Sequence, residues 1–148
     1  MKVVKSLDDI ALPKEGSVEI PRDDEGLMVP IRAIPANEHR KIMRDAKAPA
    51  PPKKMRKVDG KATGEWYEDP NDPVYLELVE KSSDKMLAAV ILAGVALDIP
   101  GETDDEKFEA LSSKLTFGDL NIIVEGINSL GNVTPEEQEE DTEAVKNS

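Results

Sequence analysis

The stretch that decides the fold runs from Asp72-Pro73-Val74-Tyr75-Leu76-Glu77-Leu78-Val79 through Met86-Leu87-Ala88-Ala89-Val90-Ile91-Leu92-Ala93-Gly94 to Leu97. Tyr75, Leu78, Val79, Ser82, Met86, Ala89, Val90, Ala93 and Leu97 recur at steps of three and four, the spacing of one helix face. Asp72 is placed to cap this helix, and Pro73 suits its first position, where a missing N–H is no loss. From Met86 onward the segment is apolar nearly all round, which implies burial between neighbours. Pro100-Gly101 ends it.

The neighbours follow on either side. Thr103-Asp104-Asp105-Glu106 has the form of a capping box, and Phe108, Leu111 and Leu115 give the next helix a thin apolar stripe. Thr116 or Gly118-Asp119 starts another, with Leu120, Ile123, Val124, Ile127 and Leu130 inward and Gly131 as its stop. Leu78, Val90, Leu97, Leu120, Val124 and Ile127 are the expected core. Gly94 and Gly126 sit inside apolar helices, where Gly costs roughly 1 kcal/mol relative to Ala, and close helix–helix approach explains them. Upstream, Ser17-Val18-Glu19-Ile20 and Leu27 to Ile34 flank the turn chemistry of Asp23-Asp24-Glu25-Gly26 and predict a β-hairpin. Pro30 makes its second strand an edge or interrupts it. Pro35 then opens a helix reaching Ala46, whose narrow apolar stripe is Ile42, Met43 and Ala46.

Residues 48–66 read differently. Pro49, Pro51 and Pro52 precede Lys53-Lys54-Met55-Arg56-Lys57, and Gly60 and Gly64 follow, which predicts a mobile basic loop. The expected fold is mainly α: one small domain over 17–133, about four helices with an N-terminal β-hairpin. An N-terminal extension (1–16) and an acidic, disordered tail (134–148) flank it.

Composition narrows the function. With 39% hydrophobic residues in 148, the chain falls below the globular average of roughly 45–50%, so part of it stays outside the core. There is no cysteine, hence no disulfide and no thiolate metal site, and the single histidine, His39, lies between Glu38 and Arg40 without a partner motif for catalysis. No glycine-rich phosphate loop and no EF-hand spacing occurs. These residues predict a non-enzymatic protein without cofactors. The longest apolar run is far short of the ~20 residues a membrane helix needs, which predicts a soluble, cytoplasmic protein with no membrane association.

The net charge is -12, unevenly spread. Residues 48–67 hold five basic groups against two acidic, whereas residues 68–133 hold four against fourteen. Such acidity disfavours nucleic acid as a partner, because that affinity rests on cationic contacts. Pro52-Lys53-Lys54-Met55-Arg56-Lys57-Val58 resembles a short basic import signal. It also suits a cationic element docking on an acidic partner or on another copy's acidic face, or a solvated linker. Lys53, Lys54, Arg56, Lys57, Trp66 and Tyr67 are the candidate partner-binding residues.

From Val29-Pro30-Ile31-Arg32-Ala33-Ile34-Pro35-Ala36-Asn37-Glu38 onward the chain resembles the tail assembly chaperones of long-tailed bacteriophages. The likeness lies in a short strand stepping through Arg-Ala into a helix, a variable insert, and a helix rich in Leu, Val and Ala. Shorter closing helices and an acidic tail complete it. It covers roughly residues 17–131. The resemblance implies a non-enzymatic chaperone that coats the helical tape measure protein and helps recruit the tail tube protein; covering such a helix calls for a small subunit with weak self-association. The alternative is an acidic protein-interaction module, an inhibitor or nucleic-acid mimic.

Overall fold

The computed structural model describes residues 1–11 and 15–131. Among these, a short 3-10 turn (Leu7–Asp9) precedes two antiparallel hairpins and four α-helices. The first hairpin is β1 (Gly16–Ile20) and β2 (Leu27–Ile31), followed by α1 (Ala36–Asp45). The second is β3 (Lys53–Val58) and β4 (Lys61–Glu68), followed by α2 (Pro73–Gly94), α3 (Asp104–Ser112) and α4 (Phe117–Leu130). The class is therefore α+β, with strands where the sequence suggested a loop over 48–66. Residues 134–148, read as an acidic tail, lie outside the described residues.

The helix starts follow their caps. The Asp72 carboxylate accepts from the Tyr75 N–H at 3.0 Å, with Pro73 at the first helical position. Thr103 accepts from the Glu106 N–H, but the Glu106 carboxylate reaches back one residue further than a capping box requires, to the Glu102 N–H. The reciprocal box is at α4: Thr116 accepts from the Asp119 N–H at 3.1 Å, and Asp119 accepts from the Thr116 N–H at 2.9 Å.

The first hairpin is built into the core. Val18 faces Val29, and Ile20 faces Leu27 in register, while Gly16 faces Ile31. Ile20 and Ile31 are buried with Val90, Ile91, Val95, Leu120, Ile123 and Ile127 in one apolar cluster. Two glycines permit this packing. A Cβ on Gly126 would collide with Val18 and crowd Ile31, so Gly126 admits the hairpin against α4; a Cβ on Gly94 would collide with Ile127, so Gly94 sets the α2–α4 approach. Only the second is a helix–helix contact.

Pro30 occupies an edge in a specific sense. A strand residue directs its N–H and C=O to the same side, and the Pro30 carbonyl faces outward to accept from the Ala96 N–H at 2.9 Å. The missing donor therefore falls outside the β1–β2 ladder. Arg32 N–H donates to the Gly94 carbonyl at 2.8 Å, so Ile31 and Val95 form an isolated antiparallel bridge. That bridge explains one correction. Helix α2 stops at Gly94, Val95 is extended, and Leu97 emerges 48% exposed rather than buried. Leu78 is the other: it lies off the row Tyr75–Val79–Ser82–Met86–Val90 and is 40% exposed. Val90, Leu120 and Ile127 are buried, and Val124 is partly buried against the cluster.

The turn of the first hairpin is fixed by an ion pair. Asp119 is 4% exposed, and both its oxygens accept from Arg22, at 2.8 and 3.3 Å. The bond from Arg22, reinforced by the Thr116 amide, holds the Asp119 carboxyl below the usual carboxylate range. The same bond raises the Arg22 guanidinium.

Candidate protein-interaction site

All six candidate partner-binding residues fall on the second hairpin. It is a separate two-stranded sheet, paired Lys53 to Glu68, Lys54 to Tyr67 and Met55 to Trp66, with an irregularity between Met55 and Lys57 before Lys57 meets Ala62 and Val58 meets Lys61. Its turn is Asp59-Gly60, with φ of 52° and 78°. Positive φ at both central residues matches the twist of antiparallel strands, and Asp-Gly is a preferred dipeptide for it. This signal stood in the sequence. The surrounding proline and lysine density obscured it, because neither residue is a good strand former.

The hairpin is an arm. Every residue of β4 is exposed, as are Lys53, Arg56, Lys57 and Val58 of β3. Trp66 is 63% exposed and Tyr67 43%. The arm's contacts run mainly between its own strands, and it joins the body at its base. There the Asp69 N–H donates to the Pro52 carbonyl at 2.9 Å. The Lys54 ammonium sits between two carboxylates, 2.5 Å from Asp69 and 2.9 Å from Asp72.

Lys54 is thereby withdrawn from partner binding. Its two bonds, Asp69 then Asp72, raise its pKa above the ordinary lysine value and lower both carboxyls. A cation near a helix N-terminus opposes the helix dipole, and the paired aspartates compensate for it. Because Asp72 also caps α2, one lysine ties the arm's base to the helix start. Arg56 lies 3.5 Å from Glu65 in an exposed pair, a geometry that contributes little and leaves the guanidinium accessible. Lys53, Arg56, Lys57, Trp66 and Tyr67 remain exposed on the arm, and Lys61, at its turn, is a further exposed cation outside the six candidates.

Beside the arm, the first half of α2 is also solvent-facing. Inward are Tyr75, Val79 and Ser82, while Val74 (66% exposed), Leu76 and Leu78 face outward. Leu76 borders Glu77, Glu80 and Asp84, all exposed and spaced three and four apart along one side. A cleft of about 350 Å³ opens between α1, α2 and α3, floored by Ile42, Ala46, Ala89 and Leu92 and bridged by the Lys85 ammonium donating to the Asp45 carbonyl. Among the described residues, no group of three or more His, Asp or Glu is placed to hold a metal ion, and no helix is long and apolar enough to cross a membrane. No family model, no curated protein and no solved structure matches this chain.

Proposed function

We propose that this chain is a non-enzymatic tail assembly chaperone that binds and solubilises a phage tape measure protein and helps recruit tail tube subunits. The observation that carries the binding role is the exposed basic–aromatic arm, tied at its base to the start of α2, together with the exposed Val74, Leu76 and Leu78 of that helix. The identity of the client comes from the sequence resemblance. A long amphipathic helix precipitates when its apolar stripe is uncovered. A small subunit that offers apolar and aromatic contacts on one side and strong negative charge elsewhere covers the stripe and makes the complex soluble.

Co-expression with fragments of the tape measure protein tests this, scoring how much fragment remains soluble. The soluble share should rise with the wild-type chain and fall for the double variant Trp66→Ala/Tyr67→Ala, which keeps every core residue. Binding should carry a negative heat-capacity change, the mark of apolar burial, and persist at moderate salt. Fragments that precipitate equally with and without the protein defeat the reading. The acidic-module alternative then becomes the better account, with binding that collapses as salt screens charge over a Debye length of about 8 Å at physiological ionic strength.

A further inference from the structure

We propose that the β3–β4 arm of one copy docks across the acidic side of α2 in a second copy, so that the chain self-associates arm to body. The proposal is independent of the client named above. It starts from the physics of the arm: a lone two-stranded hairpin is marginal in water, and among the described residues this one gains no third strand and no covering helix. Trp66, Val58 and Tyr67 are exposed on the arm, as are Lys53, Arg56, Lys57 and Lys61.

Charge selects the occupant. The arm, Lys53–Glu68, carries five basic groups against three acidic, Asp59, Glu65 and Glu68, and the chain beyond it is the strongly acidic part of the same molecule. The side of α2 bearing Glu77, Glu80 and Asp84 presents three carboxylates at one-turn spacing, with the half-exposed Leu76 at its border; Lys81 lies 3.9 Å from Glu77 in an exposed i,i+4 pair that contributes little and leaves the strip net acidic. Its chemistry mirrors the arm's: apolar contact flanked by charge of the opposite sign. Pairing two β3 edges would instead align cations with cations, the device by which strand edges reject each other. The contact is therefore between unlike surfaces, giving a reciprocal dimer if two copies exchange arms and an open chain if they do not. Within one copy, Lys54 anchors the arm to Asp69 and Asp72, while both surfaces stay solvent-facing.

Sedimentation velocity over a concentration series, at about 50 mM and about 500 mM salt, reads the association, since screening should weaken it. The wild-type mass should grow with concentration at low salt and return toward the monomer at high salt. An arm-reversed variant (Arg56→Glu/Lys57→Glu/Lys61→Glu) and a body-reversed variant (Glu77→Lys/Glu80→Lys/Asp84→Lys) should each stay monomeric. Mixed in equal amounts they should associate again, because each arm then meets an opposite charge; this recovery also shows that neither variant failed merely by misfolding. Reversal of acids on α3 (Asp105→Lys/Glu109→Lys) should leave self-association within twofold of wild type. Trp66, the only tryptophan, should shift its emission to shorter wavelength as the wild type associates. A wild type that is monomeric throughout at low salt, an arm-reversed variant that still self-associates, or association without a change at Trp66 overturns the proposal. Loss of client solubilisation alone leaves every one of these readouts unchanged, so the two ideas fail separately.

Discussion

The two hairpins of this molecule share a secondary structure and little else. The β1–β2 hairpin has five residues in each strand and puts Ile20 and Ile31 into the central cluster. The longer β3–β4 hairpin contributes no residue to that cluster. The difference is one of sequence pattern. Val18, Ile20, Val29 and Ile31 are β-branched and share one face, so a helix can cover them. In Lys53-Lys54-Met55-Arg56-Lys57 only Met55 is apolar, and a face made of lysines cannot be buried without partners. Strand length thus says nothing about which hairpin holds the fold together; the chemistry of the covered face decides it.

That contrast breaks most readily by truncation at matched positions. Ile31→Ala should destabilise the protein by about 2–5 kcal/mol, the range for removing a buried aliphatic side chain. Val58→Ala in the arm should change stability by no more than about 0.5 kcal/mol, as surface substitutions do. Urea denaturation of both variants measures this, and equal losses would erase the distinction between the hairpins.

A second test uses acid. Asp119 is held below the ordinary carboxylate range, so the stability it contributes is complete above the unfolded value near pH ~3.9 and disappears as pH falls through the depressed folded value. Asp119→Asn should lower stability at neutral pH and flatten the acid limb of the pH–stability curve. If the slope between the unfolded and folded values stays that of wild type, the Arg22 anchor is not what holds the first hairpin's turn.

The smallest effect should come from Lys54→Ala. It detaches the arm's base from Asp69 and Asp72 without touching the central cluster. Amide exchange in β3 and β4 should speed up by about tenfold or less while exchange in β1 and β2 is unaltered, because the arm opens locally and the first hairpin opens with the core. Acceleration in both hairpins would show that they unfold as one unit.

These differences mark where the sequence was readable. The cap at Asp72-Pro73, the cap at Thr103, the Thr116 start and the alternation before Asp23 are local signals, decided within a few residues. What escaped was decided at long range or by competing signals. The apolar run continues past Gly94 and so predicts a buried Leu97, but the pairing with β2 turns the chain out of helix there. The arm reads as a loop from Pro49, Pro51, Pro52, Gly60 and Gly64, whereas Asp59-Gly60 supplies the hairpin turn. Those prolines all precede β3 and leave its ladder intact. Of the candidate site, the sequence located the displayed cations and aromatics; it did not separate Lys54, whose aspartate partners lie 15 and 18 residues further along.

The ion pair between Arg22 and Asp119 spans 97 residues of chain, and this has a consequence for biosynthesis. At ribosomal speeds of about 5–20 residues per second, the first hairpin is made roughly 5–20 s before the helix that covers it. Through that interval Ile20 and Ile31 lack Leu120, Ile123 and Ile127, and until α2 is made also Val90, Ile91 and Val95, whereas the second hairpin needs only its own neighbouring residues and the start of α2. The nascent chain therefore completes its peripheral arm first and its centre last. Folding is gated by the emergence of α4, and a truncated product ending before Thr116 would leave the ribosome with an ordered arm and an open core.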